Sequence, residues 1–211
     1  RLALEVAYEV LMQARALDQN AVGVFGALMV SNDLQRRVAS PFSAAGGSPA
    51  ILSNRVSYAL GLWGPSMTVD TACSSSLVAI DAASKAINNR DCEIAVVVGV
   101  NLLQSMEAYA AKCAAGMLSR KGRCATFSDQ ADGYSPGEGC AAIVLKPLQN
   151  ALEDDDGVWG ILHGSAVNQD GRTATLTAPN GPAQEQVIRR AMERAGIEAE
   201  EVGYVEAHGT G

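Results

Sequence analysis

The 211-residue sequence has only two histidines, and its five cysteines are scattered at positions 73, 92, 113, 124 and 140. No two cysteines form a CxxC pair and their number is odd, which excludes a zinc cluster or a disulfide framework. A reduced, cytoplasmic setting is the expectation. Basic residues are scarce: 16 against 23 acidic ones, a net charge of −7. Nonspecific nucleic-acid binding, which needs clustered Lys and Arg against phosphate, is thereby excluded. No apolar run approaches the roughly 18 residues of a membrane span, and no secretory leader is visible. Repeats and low-complexity tracts are missing too. Against these absences stand 48% hydrophobic and 18% charged residues, enough apolar surface for a large core and too little charge for a disordered chain. The chain opens without Met, inside helical periodicity, and stops directly after a motif, so it reads as an internal stretch of a longer polypeptide.

Apolar spacing organises the chain as alternating helices and strands. Leu2, Val6, Val10, Ala14 and Leu17 share one helical face, with Leu4, Tyr8 and Leu11 beside it. Ala21 to Val30 reads as a buried strand, and residues 31–50, rich in Ser, Asn, Pro and Gly, as a long loop. A strand over 66–71 leads into a helix from Cys73 to Ile87, with Leu77, Ile80, Ala83 and Ile87 at helical spacing and Ser74, Ser75 and Ser76 as capping hydroxyls. Further strands are expected at 93–100, 140–145, 158–167 and 202–206, and further helices at 105–116 and from Pro182 to Gly196, where Gly is the expected stop. The pattern predicts an α/β fold with both sheet faces covered, in two subregions split near the acidic turn at 153–156.

Chemistry concentrates where the strand at 66–71 turns into its helix, at Asp70-Thr71-Ala72-Cys73-Ser74-Ser75-Ser76. A helix N-terminus carries partial positive charge, which favours thiolate over thiol. Its free N–H groups point to the same place, and that of Cys73 itself can donate to a bound thioester oxygen. Spacing alone leaves two readings for Cys73: an acyl-accepting nucleophile, or a buried cysteine acting as a small hydrophobe. Cys92 and Cys140, beside apolar strands, read as structural. His208 follows a strand and precedes Gly209-Thr210-Gly211, a turn at the sheet edge where open α/β folds place ligands. His163, inside a strand pattern, reads as a structural histidine.

Several segments together carry a resemblance. GPSMTVDTACSSSLVAI (64–80) resembles the nucleophile segment of β-ketoacyl synthases, and EAHGTG (206–211) resembles that family's first histidine motif. NRVSYALGLWGPS (54–66), AAGMLSRKGRCATFSDQADGYSPGEG (114–139), GSAVNQDGRT (164–173) and NGPAQEQVIRRAMERAGI (180–197) follow in the family's order, so the resemblance covers essentially the whole chain. It implies a thiolase-like fold in αβαβα layers, with residues 1–156 as the N-terminal half and 157–211 as the start of the C-terminal half. It implies decarboxylative Claisen condensation between an acyl-Cys intermediate and a malonyl-type extender, in polyketide or fatty acid biosynthesis. No cofactor is expected to be bound, since the substrates ride on the phosphopantetheine of an acyl carrier protein. The implied partners are that carrier protein and a second copy in a homodimer, with no nucleic acid. Cys73 matches the nucleophile and His208 the first catalytic histidine. Met117 and Leu118 match a segment near the acyl pocket, and Thr210 is a further substrate-binding candidate. Asp132, Gly133, Gly137, Glu138 and Gly139 match an acidic-glycine loop that supports the site. Ser135-Pro136 departs from the family, where Val-Arg or a similar pair is frequent. The family's second histidine and lysine lie beyond Gly211, so the 211-residue piece alone is expected to be inactive.

The runner-up is a ketosynthase-like domain that binds or transfers acyl groups without condensing them. A cysteine hydrolase lacks its GxSxG-type elbow here, and a chain-length-controlling partner subunit has no need of Cys73.

Overall fold

The structure is a computed structural model that describes residues 1–29 and 40–210. Most of the loop expected over 31–50 therefore lies outside the described residues, as does Val30 at the end of its expected strand. The part of that loop within them contains a short helix, α2 (Ser43–Gly47).

Two compact units are present. The first comprises residues 1–147 with 207–211, the second 148–206. The first holds a four-stranded mixed sheet in the order β2-β1-β3-β4, built from β1 (Val22–Ala27), β2 (Ser66–Val69), β3 (Ile94–Asn101) and β4 (Gly139–Leu145). β1 pairs in parallel with β2 on one side and β3 on the other, and β3 pairs antiparallel with β4. All six residues of β1 are buried, as befits a central strand covered on both faces.

Strand alternation sends the two sets of side chains to two cores. Val22, Val24, Ile94 and Val96 meet α1 (Leu2–Gln13) and α3 (Ile51–Leu60) through Ala7, Leu11 and Val56. Phe25, Ala27, Ala95 and Val97 meet α4 (Ser75–Asn88) through Ala79, Ala83 and Ala86. The result is three layers, helix on sheet on helix.

Both major helices use an alanine face where the larger aliphatics were the expected one. α1 buries Ala3, Ala7 and Leu11, while Leu2 and Tyr8 are exposed. α4 buries Ser75, Ala79, Ala83 and Ala86, and Leu77 points to solvent with 71% exposure. Small side chains let these helices lie close on the sheet; Leu at those positions would hold them off. α1 stops at Gln13 because Arg15 turns left-handed, so Leu17 packs from a loop.

The second unit contains α6 (Leu148–Glu153) and α7 (Gly181–Ala195). Asn180 caps α7 by accepting from the Ala183 N–H, and the chain leaves it through a left-handed Gly196, the stop expected from sequence. Neither 158–167 nor 202–206 forms a strand. Their alternation is real, but a strand exists only with a ladder partner, and these segments have none among the described residues. Instead, 158–168 is tied to α7 by side chains: Arg194 donates to the Ser165 carbonyl and Asn168 to the Ala183 carbonyl. His163 is exposed and lies outside any strand, unlike the strand position expected for it. α5 (Met106–Ala114), in the first unit, starts from Ser105, whose hydroxyl accepts from the Glu107 N–H.

One close approach sets the entry to β2. A Cβ on Gly64 would fall 2.6 Å from the Val22 carbonyl carbon and 2.8 Å from the Gly23 nitrogen, both backbone atoms that cannot rotate away. Gly64→Ala is therefore expected to destabilise the fold by about 1–3 kcal/mol, whereas Gly46→Ala, with open space at its Cβ, should not. Urea unfolding midpoints of the two variants check this; equal midpoints would show that the β1–β2 entry is not sterically limited.

Candidate active site

Cys73 sits in the link between β2 and α4. A short 3-10 turn, Ala72–Ser74, bridges them, and Ala72 is held left-handed at φ 56°. A residue with a side chain pays roughly 1–3 kcal/mol for such a conformation. Three hydrogen bonds oppose that cost, each worth about 0.5–1.5 kcal/mol net. The Ala72 N–H donates to Asp70 Oδ1 at 3.1 Å, the Thr71 N–H donates to Ser75 Oγ at 2.8 Å, and Ser75 Oγ donates to the Ala72 carbonyl at 2.7 Å. Ser75 is thus a buried tie across the turn, not the helix cap expected from sequence. Ser74 Oγ reaches the Thr71 carbonyl at 2.8 Å, and Ser76 packs against Gly99 of β3. With the junction closed by side chains, Cys73 is left exposed at the start of α4, and its N–H has no acceptor among the described residues. Both features suit a sulfur that must meet a substrate and an amide that must meet its carbonyl oxygen.

A long loop over 114–139 forms the next wall. Its two arms meet where Leu118 bridges Tyr134: the Tyr134 N–H donates to the Met117 carbonyl, and the Ser119 N–H to the Tyr134 carbonyl. Gly133 makes the meeting possible, since at φ 130° a Cβ there would fall 2.6 Å from the Leu118 backbone carbon. Asp132 and Glu138 brace the loop. Asp132 accepts from the Ser119 hydroxyl at 2.6 Å and from the Arg120 N–H, and Glu138 accepts from the Leu103 N–H at 2.5 Å. The Asp132 carboxyl is held below the usual carboxylate range, first by the Ser119 hydroxyl, then by the Arg120 N–H and the charge of Lys121. At the family departure, the Ser135 N–H donates to Cys124 Sγ.

This loop reaches the segment of His208. Its Tyr134 phenol is pushed up, first of all by burial. At its far end the Thr126 hydroxyl donates to the Gly209 carbonyl, one residue past His208. His208 is exposed in the same compact unit as Cys73, and no hydrogen bond joins them. Met117 and Leu118 adjoin Tyr134 through the backbone bridge, with Met117 exposed and Leu118 half-buried. They do not line the apolar groove of about 480 Å³ that starts at Ser76 and Ile80 and runs over Val97, Gly99, Cys140 and Ile143. Thr210 is exposed. Burial raises the thiols of Cys92, which is buried, and of Cys140, which is half-buried at the groove. Tyr134, Thr126 and Ser75 are contributors that sequence reasoning missed. Only Ser75 carried a local signal, its place in the serine run after Cys73.

Known proteins match the chain from end to end. The family model described as Beta-ketoacyl synthase, N-terminal domain, matches residues 1–151, and that described as Beta-ketoacyl synthase, C-terminal domain, matches residues 159–211. The chain is 46% identical, over its whole length, to a phenolphthiocerol/phthiocerol polyketide synthase subunit of Mycobacterium tuberculosis, of which it spans 12%. It is also 46% identical, over 94% of its length, to the polyketide synthase PksN of Bacillus subtilis, of which it spans 4%. Among solved structures, the ketosynthase from module 6 of the bacillaene synthase of Bacillus subtilis superimposes with a TM-score of 0.91 at 40% identity, covering all of this chain and 37% of that one. An oxazolomycin ketosynthase domain from Streptomyces albus gives 0.92 at 38% identity, covering all of this chain and 38% of its own.

The bracing of Asp132 makes a pH prediction. Its folded carboxyl titrates below the unfolded one, so its contribution is present above the ordinary value of about 4 and is lost as pH falls through the lower folded value. Asp132→Asn should flatten the acid side of the stability profile relative to wild type, read from thermal midpoints below about pH 4. Parallel profiles would mean that Asp132 is not bound in this way.

Proposed function

The chain belongs to the β-ketoacyl synthase family, with the thiolase-like α/β fold of its ketosynthase neighbours, and from that premise we propose that Cys73 and His208 serve a decarboxylative Claisen condensation in polyketide assembly. The observation that carries the reading is the strand-to-helix turn that presents an exposed Cys73 at the start of α4.

The proposed sequence has two transfers. An acyl group first passes from the phosphopantetheine thiol of an acyl carrier protein to Cys73 Sγ. A new C–S bond forms on Cys73 as the carrier's C–S bond breaks, and the carrier thiol leaves with the proton. The Cys73 N–H donates to the carbonyl oxygen as it becomes an oxyanion. A malonyl-type thioester on a carrier protein then loses CO2, the electrons of the broken C–C bond passing into its enolate. His208 donates a hydrogen bond to that enolate oxygen. The nucleophilic carbon attacks the acyl-Cys73 carbonyl, Sγ leaves as thiolate, and the β-ketoacyl product remains on the carrier. No electron is exchanged, so no redox cofactor is needed. Met117 and Leu118, beside Tyr134, are the residues we assign to the acyl chain, and Thr210 to the carrier arm.

All five cysteines are unpaired thiols, which fits a reducing cytoplasm, and no helix among the described residues is long and apolar enough to cross a membrane. We further assign a homodimer to the outer edge of β2. β2 pairs only with β1 among the described residues, and exposed Tyr58, Trp63 and Met67 lie on or beside it. Met67→Asp should then give monomers in sedimentation velocity, and an undisturbed dimer would move the interface elsewhere.

The reaction itself is tested in the intact synthase that contains this chain. Cys73→Ala should abolish the acyl-enzyme seen by intact-protein mass spectrometry. His208→Ala should leave acylation nearly intact and lower condensation by about two to four orders of magnitude, the range of a positioned proton or hydrogen-bond donor. Normal condensation in either variant sinks the assignment.

A further inference from the structure

We infer that Thr126 is a positioning residue for His208, acting through the Gly209 peptide; this rests on the role proposed for His208 above. Its hydroxyl donates to the Gly209 carbonyl. Among the described residues, this is the one hydrogen bond from the Ala207–Thr210 turn to the rest of its compact unit. The contact is steric as well as polar. Gly209 is left-handed at φ 64°, and a Cβ there would fall 2.8 Å from Thr126 Cγ2 and 2.9 Å from Oγ1. The Thr126 side chain therefore occupies the space beside the Gly209 Cα, where no other side chain fits, and bonds its carbonyl.

The support under Thr126 is itself ordered. The Ser128 N–H closes a turn on the Ala125 carbonyl, the Gln130 N–H bonds Ser128 Oγ, and Phe127 is held left-handed at φ 60°. The Ser135 N–H, donating to Cys124 Sγ, joins the two arms of the loop, so Thr126 stands on a braced support. An exposed imidazole with no hydrogen bond among the described residues takes its aim from its backbone, and among those residues the backbone has a single polar tether. A displacement of about 1 Å at a reacting group can cost on the order of a hundredfold in rate.

Thr126→Val keeps the branched shape and removes the donor; Thr126→Ser keeps the donor and removes the methyl. In the intact synthase, Thr126→Val should leave Cys73 acylation at the wild-type rate and lower the condensation kcat about ten- to a hundredfold, while Thr126→Ser stays within a few-fold of wild type. A second readout does not depend on turnover. Diethyl pyrocarbonate modification of His208, measured by peptide mass spectrometry relative to exposed His163, should change in Thr126→Val and return toward wild type in Thr126→Ser. If the wild-type synthase acylates but never condenses, the proposed reaction fails while this ratio still judges Thr126. An unchanged His208 ratio in Thr126→Val, or equal loss of acylation and condensation, overturns the inference.

Discussion

The site depends on one hydroxyl. Ser75 Oγ accepts from the Thr71 N–H and donates to the Ala72 carbonyl, closing with its side chain a short turn in which Cys73 stays exposed. The same side chain is buried under α4, within 3.3 Å of the Leu28 carbonyl at the end of β1. The conformation of the nucleophile's turn is therefore tied to the central strand of the sheet. The strain at Ala72 is tolerable because it sits inside this closed set of bonds; without them, the strand would run into the helix by some cheaper path and the sulfur would point elsewhere.

Around that junction the chemistry is divided between rigid and supported parts. β2 and α4 hold Cys73 from behind. The 114–139 loop, long enough to be floppy, is braced by two carboxylates that accept backbone N–H groups, Asp132 from Arg120 within the loop and Glu138 from Leu103 after β3. Ionised acceptors make the stronger hydrogen bonds, and in an exposed loop with little apolar burial they are what remains to hold shape. The acid-glycine pattern is the chemistry of a loop that must stand in solvent and still keep a fixed form.

Much of this was legible in the residues. Periodicity located β3, β4, α4, α5 and α7 to within a residue or two, since their apolar spacing and terminal signals act locally, while β1 stops at Ala27, short of the expected strand. The ordered motifs identified the family and with it the candidate pair Cys73 and His208. What failed has physical reasons. Alanine carries a weak apolar signal, so the buried faces of α1 and α4 were assigned to the larger side chains beside them. The apolar alternation of 158–167 indicates capacity for a ladder, and the partner that makes a ladder is a property of the fold. Ser75, Thr126 and Tyr134 act across long stretches of chain or by reversing a turn, and no spacing rule reports on that.

The sheet that carries Cys73 contains no tight hairpin. β1 must wait for β2 and β3, its two neighbours, each tens of residues later in the chain, and β3 waits again for β4. Closing such distant pairs is slow, because loop entropy is lost before any contact is gained. A chain emerging from the ribosome therefore exposes the apolar run of β1 with both edges open while the serine-tied turn does not yet exist. Thiol reactivity at Cys73 should mature late, as an outcome of completed long-range pairing.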